Sequence, residues 1–288
     1  MLGVLGDLVE DVVVWVSGPV RHGTDTPARV FRSRGGSGAN VAAAAARFGP
    51  TRFLGSVGAD PLGDALVAGL AADGVDVRVR RGGRTGSVVV LVGADGERTM
   101  LPDRGAAAEL DDVPGDWLHG LDLLHVPAYA FDGEPGASAT RAAVTASRVA
   151  GTRISVDTSS AGMITGYGVA AFRDLLVALS PDVLLADDGE AALLGLWSGA
   201  APGPFRSALP DTVVVVKAGA APTRVSAPGA APFTVPVAPV PGVCDVTGAG
   251  DAFAAGFLST RLRAGDLRES CVAGHAAAAR VLRSPGAG

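Results

Sequence analysis

The stretch Asp245-Val246-Thr247-Gly248-Ala249-Gly250-Asp251-Ala252-Phe253 combines two glycines, a carboxylate and the start of an apolar run. Phe253, Phe257, Leu258 and Leu262 recur at spacings that share one helix face, so the glycines stand immediately before a helix. The amides of Ala249, Gly250 and Asp251 then fall in its first turn, where no intrahelical acceptor reaches them. Together with the helix dipole they form an anion site suited to a phosphate. Glycine allows the close backbone approach such a site needs. A carboxylate beside a phosphoryl group can take the proton of an attacking hydroxyl. Positioning, charge stabilisation and a base are what phosphoryl transfer asks of a protein, and this segment offers parts of all three. An acid in a first helical turn also offsets the dipole with no chemistry at all, so both readings stay open on the segment alone.

A second glycine segment, Gly35-Gly36-Ser37-Gly38-Ala39-Asn40-Val41-Ala42, leads into an Ala-rich helix. Paired glycines admit a ligand to the backbone, and Asn40 offers both a donor and an acceptor for hydroxyl groups. A tight turn and helix start would account for the same residues. Three rival motifs fail here. A dinucleotide fingerprint would need glycine at Val41 and a strand just before the turn. A hydrolase nucleophile elbow at Ser37 would need a closing glycine at Ala39. A P-loop would need a lysine followed by Ser or Thr, whereas the sole lysine, Lys217, is followed by Ala218.

Acids at strand ends supply further candidates. Asp11, with Asp7 as the near alternative, follows the first strand. Asp187-Asp188-Gly189-Glu190 follows the apolar run Val183–Leu185, at the sheet edge where ligands bind in open α/β folds. Acids there can hold Mg2+ through water, or simply enrich a helix N-terminus. Lys217-Ala218-Gly219 ends the next strand, where the lysine reads either as a phosphate contact or as a surface charge.

The elements that must position these groups alternate strand and helix. Ile154–Val156, Val183–Leu185 and Val213–Val216 are short, fully apolar runs of the kind found in parallel sheets covered on both faces. Asp60-Pro61 starts a helix with its cap and its first-turn proline, Leu62, Leu66 and Leu70 line one face, and Gly74 ends it. Val12–Val16, Arg29–Arg34, Ser87–Val92 and Thr99–Leu101 read as strands with few helices among them, the last two joined through an Asp95-Gly96 turn. The expected fold is α/β: a doubly wound, mostly parallel central sheet flanked by helices, with a small β-sheet lid whose strands span approximately 12–34 and 86–101 of a single 1–288 domain. Gly199–Pro204 and Pro222–Pro241 read as loops.

The bulk composition is that of a globular chain with a sizeable core: 288 residues, 48% hydrophobic, 18% charged. A net charge of −5 without a basic block argues against a nucleic-acid partner. Apolar runs are too short for a membrane helix, and Asp7, Glu10 and Asp11 do not suit a secretory leader. Two scattered cysteines, Cys244 and Cys271, suit a reducing compartment, and four histidines off metal-ligand spacing argue against structural zinc. The expected location is the cytoplasm.

D-x-T-G-A-G-D-x-F followed by an apolar helix resembles the C-terminal signature of the ribokinase-like, or PfkB, carbohydrate kinases. The earlier G-G-x-x-x-N resembles their N-terminal signature, and the likeness runs from about residue 2 to residue 283. It implies an ATP-dependent kinase acting on a hydroxyl of a small sugar, with Asp251 as catalytic base and Gly248, Ala249 and Gly250 completing the anion hole. Asp11, Gly35, Gly36 and Asn40 are implied sugar contacts. Asp187, Glu190, Lys217, Gly219, Gly248 and Gly250 are implied ATP contacts, with Glu190 on Mg2+ through water and His275 to Ala279 bordering adenine. Asp245 and Val246 match positions that hold a monovalent cation such as K+ in some members. Val57 to Asp64 matches a segment read as structural, and Thr85–Leu101 matches the lid hairpin, whose exposed edges suit a homodimer. Two positions depart from the pattern: Asp187 stands where asparagine is expected, and Pro222 replaces a glycine. A nucleoside kinase of the same fold and a catalytically weak sugar- or nucleotide-binding sensor are the alternatives; retention of Asp251 speaks for activity, and an aromatic content of 5% for a small sugar over a nucleoside.

Overall fold

The computed structural model describes residues 1–93, 95, 97–243 and 245–283. Strand β1 (Leu2–Leu5) is fully buried; β2 (Val9–Val16) and β3 (Ala28–Gly35) then leave for a second sheet before helix α1 (Ser37–Ala46) returns the chain to the core. Next come β4 (Thr51–Val57), α2 (Pro61–Ala72) and β5 (Asp76–Arg81), then β6 (Thr85–Val92) and β7 (Arg98–Gly105) in the second sheet. A regular alternation follows: α3 (Gly115–Leu118), β8 (Leu123–Pro127), α4 (Gly136–Val149), β9 (Arg153–Asp157), α5 (Ala161–Tyr167), α6 (Val169–Leu179), β10 (Val183–Asp187) and α7 (Asp188–Leu194). A two-strand ribbon, β11 (Trp197–Ser198) and β12 (Ala201–Pro202), precedes β13 (Val213–Ala218), β14 (Ala221–Ser226) and β15 (Phe233–Val235). The described chain ends with α8 (Ala249–Leu262) and α9 (Leu267–Val281).

The large sheet has the order β15-β14-β13-β10-β9-β8-β1-β4-β5. Every pairing from β13 to β5 is parallel; β14 and β15 add an antiparallel edge. Helices cover both faces, as the apolar strands require. One buried cluster joins Leu124, Ile154 and Leu184 to Phe131, Phe172 and Leu176; the other joins Val4, Phe53 and Val215 to Leu70, Phe253 and Phe257. From β1 the chain runs first toward β5 and then, on the other side, toward β13. The switch point lies between β1 and β8, and a crevice opens outside the carboxyl ends of the strands there.

The second sheet has the order β3-β2-β6-β7, with β2 and β6 parallel and both outer pairs antiparallel. It begins at Val9, so Asp11 lies within β2 and not in the connection before it. Asp95 lies in the turn between β6 and β7 and accepts from Glu97 N at 3.0 Å; Gly96 of the expected Asp-Gly turn lies outside the described residues. Asp60 caps α2 through Gly63 N at 2.8 Å and also holds β6, accepting from Thr85 N at 2.8 Å and Thr85 Oγ1 at 2.6 Å.

Pro222–Pro241 is not a plain loop, because it contains most of β14 and all of β15. Proline disguises β14. Pro222 precedes the first β15-paired residue, Thr223, and lies beside the register shift in β13, where no ladder donor is needed. Among the described residues no single helix is long and apolar enough to cross a membrane. Cys271 is a buried free thiol, and burial raises its pKa to about 12; Cys244 lies outside the described residues.

Candidate active site

A cavity of about 930 Å³ opens at the carboxyl edge of the large sheet, beneath the second sheet. Asp7, Asp157, Asp187 and Lys217 reach it from the ends of β1, β9, β10 and β13. Asp11, Val88, Met100, Pro102 and Arg104 face it from the second sheet, and the start of α8 forms its floor.

Gly248 adopts the left-handed region at φ 73°, a conformation that favours glycine, and turns the chain into α8. The first i→i−4 bond of α8 runs from Ala252 N to Gly248 O at 2.8 Å. Ala249 N, expected to be unpaired, donates to Val246 O at 3.2 Å, so of the three amides expected to face an anion only those of Gly250 and Asp251 remain. Lys217 Nζ is near: a side-chain carbon added at Gly250 would sit 3.4 Å from it.

The two glycine segments meet at Asp251. Ser37 Oγ donates to Asp251 Oδ1 at 2.7 Å, and Asn40 Nδ2 donates to Oδ2 at 3.1 Å. Burial outweighs both bonds and raises the Asp251 pKa to about 6. Among the described residues Asn40 Oδ1 is buried with no hydrogen-bond partner, so it can accept from a hydroxyl brought into the cavity. Gly36, at φ 95°, brings its backbone against Asp7 O, leaving no room for a side chain. Gly35 packs its α-carbon against the Asp11 carboxylate, whose pKa burial raises to about 6. Asp7 is engaged by Arg104, with Nε to Oδ2 at 2.7 Å and Nη2 to Oδ1 at 2.9 Å. Of these two carboxylates, Asp11 is therefore the one left to the cavity.

Asp187 and Glu190 form a capping box on α7. Asp187 Oδ1 accepts from Glu190 N at 2.7 Å, and Glu190 Oε2 accepts from Asp187 N at 2.7 Å and from Thr158 Oγ1 at 2.6 Å. An asparagine would cap equally well, so the departure at Asp187 costs the helix little. Burial raises the Glu190 pKa. Asp188 turns away to pair with Arg224. Lys217 is no surface charge: its ammonium is mostly buried and bonds Asp157 Oδ2 at 2.6 Å. Burial lowers its pKa, but the nearby carboxylates of Asp157, Glu190 and Asp251 win, and the net shift is upward. Gly219, at φ 59°, lines the same end of the cavity. There His275 Nε2 lies 2.8 Å from Thr223 Oγ1 and its ring is tilted against Phe253, with Ala278 and Ala279 adjoining.

Asp245 accepts from Thr247 N at 2.7 Å and from the Arg98 guanidinium, which also donates to Thr247 Oγ1; the Val246 side chain is exposed. The sequence reading passed over Arg98, Arg104 and Asp157. Asp157 carried a usable signal, a lone acid ending the apolar run Ile154–Val156 at the same sheet edge as Asp187.

The description "pfkB family carbohydrate kinase" matches residues 2–288. A fructokinase of Klebsiella pneumoniae is 33% identical over 274 residues, 89% of this chain and 82% of that protein. An ATP-dependent ribose-1-phosphate kinase of Halopiger xanaduensis is 33% identical over 262 residues, again 89% of this chain and 82% of that protein. Among solved structures, adenosine kinase from Sinorhizobium meliloti superposes with a TM-score of 0.85 at 24% identity, covering 99% of this chain and 94% of that one. A ribokinase II from E. coli in complex with ATP and Mg2+ gives a TM-score of 0.83 at 24% identity, with 99% and 94% covered.

Proposed function

The chain belongs to the PfkB family of carbohydrate kinases and is an ATP-dependent carbohydrate kinase; from that premise we propose that its acceptor is a hydroxyl of a small neutral sugar and that Asp251 is the general base. The observation that carries the reading is the meeting of Ser37, Asn40 and Asp251 at the mouth of α8. One carboxylate there adjoins both a hydroxyl-recognising amide and the anion site of the Gly250 and Asp251 amides. With its pKa raised to about 6 it is a stronger base than an exposed aspartate, yet remains ionised at neutral pH.

Asp11, the free acceptor of Asn40 and the backbone of Gly35 and Gly36 hold the sugar. Arg104 keeps Asp7 fixed beside them. Asp251 takes the proton of the attacking hydroxyl, and the amides of Gly250 and Asp251, with Lys217 behind them, balance charge on the transferred group. The second sheet excludes water, which favours transfer over hydrolysis. ATP occupies the end lined by Asp187, Lys217, Gly219 and His275. Mg2+ would be held through water by Glu190 and would neutralise phosphate charge; a single carboxylate suits an ion that keeps most of its water.

The charges support a neutral acceptor. Of the cavity-lining residues, the arginine and lysine, Arg104 and Lys217, are both paired with carboxylates, and Asp7, Asp11 and Asp132 crowd the sugar end. A sugar acid or sugar phosphate would meet net negative charge. The second sheet presents exposed apolar side chains at Val30, Phe31, Met100 and Leu101 on its edge strands, and on the same reading it joins two copies of the chain, which sedimentation would test. ADP formation measured over a panel of neutral sugars, sugar acids and nucleosides, with Mg2+ and with Asp251→Asn as control, tests the proposal. Turnover confined to neutral sugars and lost in the mutant is expected. Turnover confined to acids or nucleosides would overturn the substrate assignment, and an equally active mutant would overturn the role of Asp251.

A further inference from the structure

The loop that leads into α8 already has a cation bonded to it. Arg98, at the start of β7, donates to Asp245 Oδ1 and to Thr247 Oγ1. The Asp245 carboxylate also fixes the turn through Thr247 N at 2.7 Å. Both partners are mostly withdrawn from water, with side-chain exposures of 24% for Arg98 and 10% for Asp245. A planar guanidinium with several donors can serve a carboxylate and a hydroxyl at once, and its charge is fixed at any working pH.

This arrangement does not fit a monovalent ion at Asp245 and Val246. Such an ion takes oxygen donors, and the Asp245 carboxylate and Thr247 hydroxyl are engaged by Arg98. Val246 can offer only its main-chain carbonyl, and that oxygen already accepts from Ala249 N at 3.2 Å. We infer that Arg98 is the resident cation of the phosphate-binding loop, so that ATP binding is independent of monovalent ions. The inference rests on the reading that the Gly250 and Asp251 amides receive phosphate.

Arg98 also comes from the second sheet and not from the core. It shares one face of β7 with Met100, Pro102 and Arg104, because side chains alternate along a strand. Arg104 holds Asp7 at one end of the cavity and Arg98 holds Asp245 at the other. The sheet is therefore fastened to both walls of the site. The loop before α8 receives its charge only while β7 lies over it. Arg98 is thus a positioning residue: it acts on the phosphate through the loop.

The test is calorimetric titration with ATP·Mg of the whole chain and of R98A, in choline chloride and in potassium chloride at equal ionic strength. The wild type should bind with the same Kd in both salts within about twofold, while R98A should bind about tenfold more weakly in choline and recover in part with potassium or free guanidinium. A purely structural role for Arg98 would give no cation-specific recovery. Wild-type binding about tenfold tighter in potassium, or R98A binding like wild type in choline, would overturn the inference. R98Q removes the charge but keeps a donor, and should R98A not fold it serves in its place: weaker binding in choline with potassium rescue is expected, and wild-type affinity would overturn the inference. A wild type that bound no ATP in either salt would overturn the kinase reading and this inference together, an outcome distinct from any difference between salts.

Discussion

Lys217 Nζ lies 2.6 Å from Asp157 Oδ2, joining the carboxyl ends of β13 and β9 across β10. Among the described residues neither group has another charge of opposite sign so close, and removal of one strands the other in a largely buried setting. Lys217→Met should cost about 3 kcal/mol in urea denaturation. The double variant Asp157→Asn, Lys217→Met should cost less than the sum of its parts, since it leaves no orphan charge. Because Lys217 stands behind Gly250, the single variant should also lower kcat, and additive stability losses would contradict the pairing.

In the proposed role of general base, Asp251 trades stability for chemistry. Burial raises its pKa from the usual 3.8 to about 6. The folded state therefore holds this proton more tightly than the unfolded chain, and stability falls as pH rises from below 3.8 to above about 6. Asp251→Asn should lose turnover by about a thousandfold, yet at pH 8 should be more stable than wild type by about 2 kcal/mol after allowance for solvent in the cavity. The gain should vanish in acid, below pH 3.8. Thermal denaturation at the two pH values decides this, and a destabilised mutant at pH 8 would contradict it.

On the proposed role the same ionisation sets the rate profile. A general base must be deprotonated, so kcat/KM should decline below about pH 6. Asp11 has a pKa raised to the same value by burial. If both carboxylates must be charged, the acid limb falls about a hundredfold per pH unit, against about tenfold for one. Asp11→Asn should weaken sugar binding, seen as a higher KM, and leave the gentler limb of Asp251. A flat profile between pH 5 and 8 would exclude Asp251 as base.

What the sequence made legible is what the chain does locally. Gly36 and Gly248 stand where backbone must turn or come close, and that need writes itself into residue type. The apolar runs of β9, β10 and β13 announced a covered parallel sheet because burial on both faces forbids alternation. The site's electrostatics were less legible, since they are made across the fold. Arg104 meets Asp7 from 97 residues away, and Lys217 meets Asp157 from 60. A lone lysine at a strand end carries no mark that tells a buried pair from a surface charge. β14 was hidden for a different reason: Pro222 signals a loop unless it is known to fall beside a bulge, where no donor is missed.

Asp60 does two jobs with one carboxylate, and separating them tests how the second sheet is anchored. Oδ1 caps α2 through Gly63 N and accepts from the Thr85 hydroxyl, while Oδ2 accepts from Thr85 N. Gly58 N in turn donates to Thr85 Oγ1 at 3.0 Å, so the start of β6 is tied to the end of β4. The bonds from Thr85, its hydroxyl first, lower the Asp60 pKa to about 2. The stability this contributes is full above 3.8 and is lost as pH falls through about 2, so it is constant across the working range. Thr85→Val keeps the cap and removes only the hydroxyl, whereas Asp60→Ala removes cap and anchor together. Both should loosen the second sheet over the cavity. The expected signature is a raised KM for sugar and a larger share of ATP lost to hydrolysis, with Asp60→Ala also lowering Tm. Hydrogen exchange should show faster exchange in β6 for both variants but in α2 only for Asp60→Ala; unchanged exchange in β6 would mean the sheet is held elsewhere.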